Sequence, residues 1–512
     1  MANIDTMYWY PRIEKFPSKF LQFDFKGTYL HYHPGTTLLW LSGFFKLFFV
    51  KVFEFIYNYN PTYMPHHFTK IQFVVTFPLI AVISVLGVYN FYILKNLKNI
   101  TFAIIFSILL SLEPFFLGVS KYFHVTALST LFGLSAFLSI IYFTKIQKSK
   151  YLYVSGILSG LAVSTKISAI ILQPIILIYF FYLLLLNYNF SKSLFSNFYK
   201  SFKHLITQFL ILILTFFVVN PFMWVAPVWG LRKIYFDGVV GTGFSGSHPK
   251  VLFTNIPHLY YLETAFLRVT PLVFLAFLFT TVYFFLNIKK HYKNNFLVSI
   301  VIYFLFYYLL LSIPLKLKDR YLFELIPPLV LVATYGISIV YQKLRTKLKI
   351  IFIILYVIYI AFITYTYFPV YSFYHTELIG GVGGLYSMGF IPTNRGEWYA
   401  QAAFYLNKKD TLPEEKIVLM GGSGGLIKTF SQFYYGTTYA ELGAIPDKSG
   451  LKINYIVTRK KHIGYVPGNF CKKIKSFGPR NFFGTDEIYI YECNVSKDDL
   501  RKINLKFPSK LN

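Results

Sequence analysis

The residues able to do chemistry are mostly single carboxylates and single cations placed at the ends of apolar runs. Asp5 opens the stretch Asp5-Thr-Met-Tyr-Trp-Tyr-Pro-Arg12, and Tyr32-His33-Pro34-Gly35 follows it. Lys121 and His124 stand in Ser120-Lys-Tyr-Phe-His124, Lys166 interrupts an apolar stretch, and Arg320 and Tyr321 close Lys318-Asp-Arg-Tyr321. A carboxylate can accept a proton from a hydroxyl, and lysine or arginine can hold a phosphate through charge-assisted hydrogen bonds. Each residue also has a plainer reading. An Asp near a chain terminus is ordinarily solvated, and Arg12 could be a surface charge. Lys166 could snorkel at a membrane interface. Arg320 could pair with Asp319 or anchor a helix end. His33 and His124 read first as hydrogen-bonded structural residues, because no third metal ligand stands at a recognisable spacing. Glu113, before Pro114, is an acid near the end of an apolar run, which by default makes it a functional candidate. Cys471 and Cys493 are the only cysteines; with no CxxC or zinc-ligand spacing, a cysteine-based metal site is excluded.

The elements that must position these groups are membrane helices. Of the 512 residues, 55% are hydrophobic and only 14% charged, where a soluble chain carries about a quarter charged. Apolar runs such as 73–94, 125–143 and 350–368 are long enough to cross a hydrocarbon core of about 30 Å, and lipid forces such runs to be helical. The pattern predicts about ten spans, at 71–94, 100–119, 122–144, 151–165, 167–187, 204–220, 264–286, 296–314, 321–341 and 350–368. Between 151–165 and 167–187 it predicts a tight turn at Lys166. Residues 36–56, interrupted by Lys46, Lys51 and Glu54, read as an interfacial amphipathic helix, with a span as the alternative.

The formal charge of +29 resides mainly in lysine clusters between apolar runs, which favours topogenic charge and anionic headgroups over nucleic acid. One set of loops carries Lys95/Lys98, Lys145/Lys148/Lys150, Lys192/Lys200/Lys203, Lys289/Lys290/Lys293 and Lys343/Arg345/Lys347/Lys349. The alternate short loops carry only Lys121, Lys166 and Lys316/Lys318/Arg320. The first set is therefore cytoplasmic, and the segment 219–263 and the tail after Phe368 lie outside. Trp224 and Trp229 read as interface anchors that could also stack on sugar.

After Phe368 the pattern changes. Gly380–Gly384 reads as loop, 397–407 as helix, and 417–420, 453–458 and 487–492 as buried strands. The chain thus divides into an external segment 1–68, comprising a loop and the interfacial helix, a transmembrane helical domain 69–368, and a small extracytoplasmic α/β domain 369–512. Both cysteines fall in that last domain, where a disulfide can persist, although sequence does not supply the separation a bridge needs.

Six stretches in order resemble the polyprenyl-phosphate-sugar-dependent integral-membrane glycosyltransferases, the GT-C type that includes protein O-mannosyltransferases and aminoarabinose transferases. Tyr32–Trp40 is similar to the family's loop-to-helix junction and Ser120–His124 to its Ser-Arg-x-x-His. Gly156-Ile-Leu-Ser-Gly-Leu-Ala-Val-Ser-Thr-Lys166 resembles its Gly-x-x-x-Gly-Leu-Ala-x-x-Thr-Lys. Asn220–Trp224 is similar to its Pro-x-x-Trp, Lys318–Tyr321 to its basic Arg-Tyr motif, and Ala402–Asn407 to the helix opening its tail domain. The resemblance implies transfer of a mannose-like sugar, with inversion, from a polyprenyl-phosphate donor to a protein or glycolipid acceptor outside the cytoplasm. It implies Asp5 as the catalytic base, with Arg12, His33, Lys121, His124, Lys166, Arg320 and Tyr321 around the substrate. No cofactor is implied, and a divalent metal is not indicated.

Two positions depart from the family. Its first loop carries Asp-Glu where this chain has Asp5-Thr6, and Thr126 stands where an acid often follows the Ser-Arg-x-x-His stretch. The alternative readings are a transporter or lipid-handling protein and an inactive relative; no inverted repeat, which would favour a transporter, is visible. The family also carries a membrane helix immediately before its acidic motif. The resemblance therefore leads to the expectation of about 20 further apolar residues ahead of Met1. Otherwise residues 36–56 span and Asp5 is cytoplasmic.

Overall fold

The computed structural model describes all residues except 1–3, 64, 187–192, 242–255, 315–316, 391, 393–395, 422–423, 441–443, 447–451, 461–465, 481–483 and 503–512. The chain is mostly helical, with a small five-stranded sheet near its C-terminal end. Among the described residues, six helices are long and apolar enough to cross a membrane: His66–Leu97, Val125–Ile146, Ile167–Leu186, Ser201–Val219, Asp319–Lys343 and Thr346–Tyr367. This is a multi-pass membrane protein.

The expected ten spans exceed what length and composition carry, and the reasons are local. The run expected at 100–119 is a pair, Ile100–Leu112 and Pro114–Ser120, bent by 67° at Glu113, and would make a seventh span if crossed as one. Proline at the first position of the second helix removes a ladder donor and ends the first. The run at 264–286 breaks in the same way: Tyr260–Arg268 stops at Val269, and Pro271–Leu286 starts anew. Asn295–Leu311 and Ser149–Thr165 have 17 residues each.

Glu113, a functional candidate by sequence, joins these two breaks. Its carboxylate is buried and accepts hydrogen bonds from the Thr270 backbone N–H (2.9 Å) and hydroxyl (2.8 Å). It thereby satisfies a donor at the start of the helix Pro271–Leu286, the role a capping side chain performs.

The first segment, expected as a loop, is a helix, Ile4–Leu21. Thr6, Trp9, Tyr10, Ile13 and Phe16 form its buried stripe, and this helical spacing outweighs Pro11 and Pro17 within it. The stripe packs Tyr10 against Phe68 and Phe123, and Phe16 against Trp40. The stretch expected as an interfacial helix begins with a short α-helical turn, Thr36–Leu38, passes through a π-helical turn, Leu39–Gly43, and continues as Phe44–Tyr57. It exposes Phe45, Phe48, Val52 and Phe55 and is not among the long apolar helices. Lys46, one of the charges that argued against a span, is buried and paired with Glu14 of the first helix.

The helix Val125–Ile146 is central and almost wholly buried. Beside it, Gly156 and Gly160 of Ser149–Thr165 let the helix Ser193–Val219 approach closely. A Cβ on either would lie 2.7 Å from Ile211 or 2.5 Å from Thr215. The lysine-rich loops gather at one end of the bundle. There Lys145 donates to the Asn96 and Leu97 carbonyls, Lys98 lies over the Tyr335 ring, and Asn294 donates to the Tyr335 hydroxyl. Residues Asp5, His124, Lys166, Arg268 and Arg320 gather at the opposite end, as the alternation of loop charge requires.

In the tail, strands β1 (Ile417–Gly421), β2 (Thr437–Tyr439), β3 (Lys452–Arg459), β4 (Cys471–Phe477) and β5 (Ile488–Ser496) form a sheet ordered β2-β1-β3-β5-β4. The first two pairings are parallel and the last two antiparallel. The expected strands are the three central ones. The two edges were not predicted: β2 is short, and β4 is lysine-rich, a common way to blunt an exposed edge. Cys471 and Cys493 face each other across β4 and β5 and form a disulfide, with Cα atoms 4.3 Å apart. Gly380–Gly384, expected as loop, contributes to a short helix, Gly381–Ser387, and the expected helix at 397 runs Glu397–Lys409.

Candidate active site

Three motifs interlock to fix Lys166. Gly35 donates its backbone N–H to the Thr165 carbonyl (3.1 Å), and the Thr37 hydroxyl meets that of Thr165 at 2.5 Å. Thr36 donates to Asn220 (2.6 Å), which donates to Ser164 (2.9 Å). Gly35 adopts φ +64°, and a Cβ there would lie 2.3 Å from the Trp9 ring, so the turn needs glycine. Lys166 then leaves the helix in extended conformation, φ −148°, ψ 121°, before the 3₁₀ turn Ile167–Ile171. The tight turn expected here is present.

Opposite it lies the 3₁₀ turn Asp319–Leu325, which supplies three acids or bases to three different elements. Arg320 donates to Asp5 at 2.6 Å. Asp319 takes Arg268 at 2.9 Å. Glu324 takes Lys166. Arg320 and its neighbour Asp319 thus each meet a partner on a different element. The Asp5–Arg320 pair is partly open, with side chains 17% and 22% exposed. The Lys166–Glu324 pair is closed, with both side chains 3% exposed. The Tyr321 ring lies between the two: the Lys166 ammonium is 4.8 Å and the Arg320 guanidinium 5.5 Å from its centre.

Asp5 and Arg320 line one small pocket with His124, Thr126, Tyr122, Arg268, Asp319, Ser372 and Glu397. Here the chain start, the bundle and the head of the tail meet. Arg268 reinforces the junction by donating to the Ser372 (3.2 Å) and Tyr374 (3.1 Å) carbonyls. His124 caps its helix: its Nδ1 accepts from the Thr126 N–H at 3.2 Å and meets the Thr126 hydroxyl at 2.8 Å. Thr126, which stands at the expected acid's place, thus serves that histidine.

The other sequence-derived residues do not line this pocket. Arg12 lies over the Trp9 ring at 4.9 Å. His33 is half-buried; desolvation first, then the charge of Lys166, pushes its pKa well below the usual imidazole value. Its neighbour His31 is held down to about 4, mainly by burial and next by Arg12. Lys121 is turned onto the Tyr371 ring at 4.2 Å and does not line the Asp5 pocket. Trp224 and Trp229 are likewise elsewhere: Trp224 donates to the Phe217 carbonyl, and Trp229 carries Lys26 over its ring. Among the described residues, no group of three or more His, Cys, Asp or Glu side chains could hold a metal ion.

Sequence reasoning missed Glu324, Arg268 and Glu397. Glu324 and Arg268 are lone charges inside apolar runs, which is the signal that could have found them. Glu397 opens the tail helix and is visible as a site residue only once that helix is docked.

Residues 62–224 match the family model described as dolichyl-phosphate-mannose-protein mannosyltransferase. The matched segment holds Ser120–His124, Gly156–Lys166 and Asn220–Trp224. The resemblance to membrane transferases that use polyprenyl-phosphate sugars is therefore shown. No curated protein matches. Among solved structures, ArnT from Cupriavidus metallidurans bound to undecaprenyl phosphate is similar at TM-score 0.46 and 12% identity, over 95% of this chain and 93% of that one. The Archaeoglobus fulgidus oligosaccharyltransferase in its apo form is similar at TM-score 0.46 and 13% identity, over 90% of this chain and 66% of that one. The same organism's AglB, in complex with an inhibitory peptide and a dolichol-phosphate, gives TM-score 0.41 and 10% identity over the same shares.

Proposed function

We propose that this chain is an integral-membrane glycosyltransferase that moves a mannose-like sugar from polyprenyl monophosphate to a hydroxyl of a protein or glycolipid acceptor outside the cytoplasm. The observation that carries the reading is the partly open Asp5–Arg320 pair, at the same end of the bundle as the Lys166 turn that closes a family motif. Asp5 is the base and Arg320 orients it. The acceptor oxygen attacks the anomeric carbon from the face opposite the phosphate. The new C–O bond forms as the sugar–phosphate bond breaks, the configuration inverts, and the acceptor proton passes to Asp5. Polyprenyl phosphate leaves with the bonding pair, a good leaving group that needs no general acid. Arg320 faces its growing negative charge across the pocket, and Lys166 adds its charge from behind the Tyr321 ring that both cations share. Fixed charges aimed at charge that develops in the transition state are a large source of rate.

His124 shapes the pocket, and His33 and Lys121 act from outside its lining. The sugar is taken from the side away from the lysine-rich loops, where the tail domain lies and Glu397 reaches the pocket. Incubation of the full chain in lipid nanodiscs with a radiolabelled polyprenyl-phosphate sugar and a membrane extract as acceptor tests the reading. Release of free polyprenyl phosphate with labelled acceptor is expected. An intact donor pool, in the presence of every acceptor fraction, would favour a non-catalytic lipid-handling role.

A further inference from the structure

The Lys166–Glu324 pair has a feature that donor binding alone does not ask for. A lysine whose task is only to hold phosphate gains most if its charge is uncompensated. Here Glu324 takes the ammonium directly, and the pair is almost fully enclosed. Glu324 is itself held in place: Tyr307 donates to it at 2.7 Å, and the Ser168 hydroxyl lies 3.3 and 3.4 Å from its two oxygens. Tyr307 comes from the helix Asn295–Leu311 and Ser168 from the turn that Lys166 caps, so the carboxylate is held by a second element and not by the lysine alone. Burying such a pair costs desolvation that hydrophobic residues of similar size would avoid, so it is weak evidence for a purely stabilising role.

We propose that Glu324 is a positioning residue that competes with the lipid phosphate for Lys166, so that the site releases its anionic product. The inference rests on the reading that polyprenyl phosphate docks at this turn. The donor is a phosphodiester with one negative charge. The product is a monoester that carries nearly two near neutral pH. A site with bare cations would therefore hold product more tightly than donor and stall. Glu324 offsets one cation. Lys166 leans toward the phosphate as charge develops and returns to Glu324 as the product departs. No bond is made or broken in this exchange.

The test measures binding of polyprenyl monophosphate to the full chain in nanodiscs for four proteins: the parent, E324Q, K166Q and K166Q/E324Q. E324Q unmasks one charge, so it should bind product on the order of tenfold more tightly and turn over more slowly, with a burst equal to one product per protein. K166Q leaves a bare carboxylate and should bind more weakly by a similar factor. The double variant removes both charges and should return to within about threefold of the parent. If E324Q does not fold, the parent, K166Q and the double variant still decide: competition predicts weaker binding by K166Q alone, whereas a lysine that Glu324 does not offset predicts a double variant about tenfold weaker than the parent as well. Unchanged or weaker binding by E324Q, or a double variant no tighter than K166Q, overturns the inference while leaving the transferase reading intact. A parent protein that binds no polyprenyl monophosphate overturns the transferase reading, and this inference with it.

Discussion

Replacing Asp5 with Asn separates catalysis from stability, because the two effects differ in size. Asn keeps the shape of the side chain and can still accept a hydrogen bond from Arg320, which donates to Asp5 at 2.6 Å. What is lost is the ionic part of a pair whose side chains are 17% and 22% exposed. Partly solvated pairs contribute about 1 kcal/mol, to be set against a total stability of about 5–15 kcal/mol. The variant should therefore insert and fold. A positioned general base contributes roughly 10²–10⁴-fold, or about 3–5 kcal/mol of barrier. A 1 kcal/mol loss of stability cannot produce a hundredfold loss of rate in a protein that remains folded. The donor should bind D5N at least as well as the parent, since Arg320 then faces the phosphate without its carboxylate. The assay is release of polyprenyl phosphate from labelled donor under single-turnover conditions, with donor affinity measured in parallel. The expected result is a fall of at least a hundredfold in rate with donor affinity unchanged or improved. Transfer within threefold of the parent by a correctly inserted D5N protein would remove Asp5 from the chemistry. Equal losses in rate and donor affinity would make it a binding residue instead.

Four further outcomes are expected. A single cysteine placed in the tail of a cysteine-free variant should react with an impermeant thiol reagent in intact cells; reaction only after lysis would put the tail, and the pocket it closes, on the cytoplasmic side. Replacing Cys471 and Cys493 by serine removes a cross-link with a sequence separation of 22 and should destabilise the tail by about 3 kcal/mol, read as its unfolding midpoint; an unchanged midpoint would make the bridge dispensable. Glu113→Ala leaves the Thr270 N–H and hydroxyl without their acceptor and should cost about 2–4 kcal/mol in unfolding, whereas a loss of transfer with unchanged stability would restore Glu113 as a functional residue. His31 titrates near 4 when folded and near 6.5 when unfolded, so the folded state binds fewer protons between those values and stability should fall as pH drops from about 6.5 toward 4; His31→Gln should flatten that slope in thermal unfolding, and an equal slope would assign the acid sensitivity elsewhere.

The residues that were legible in the sequence are those whose signal is local. Apolar length revealed the membrane helices, and clustered lysines revealed which loops share an end of the bundle. The breaks were harder to place, because Pro114 and Pro271 sit inside runs whose mean hydropathy stays high. The helix Ile4–Leu21 was hidden by Pro11 and Pro17, which local propensity counts against it, while the buried stripe Trp9–Ile13–Phe16 finds its partners only in the folded bundle. Edge strand β4 was missed for the opposite reason: its three lysines are exposed, and the bulge between Lys473 and Lys475 breaks the alternation that marks a half-buried strand.

The pocket shows the same division more sharply. Lys166 and Arg320 could be singled out because each is a cation at an apolar boundary, and Asp5 because it opens a motif. Their partners could not be read, since these three ion pairs each span a long stretch of chain: Asp5 with Arg320, Lys166 with Glu324, Arg268 with Asp319. Sequence neighbours point the wrong way here, because Asp319 and Arg320 are adjacent yet face different elements. A 3₁₀ turn explains this. At about three residues per turn, consecutive side chains point roughly a third of a circle apart, so one short segment can address three directions. Asp319 meets Arg268, Arg320 meets Asp5, and Glu324 meets Lys166 from such a turn. A charge-bearing 3₁₀ turn beside a membrane helix is thus a device for joining three elements at one point. The expected partners of its charges lie on other elements, at distances along the chain that spacing rules do not reach.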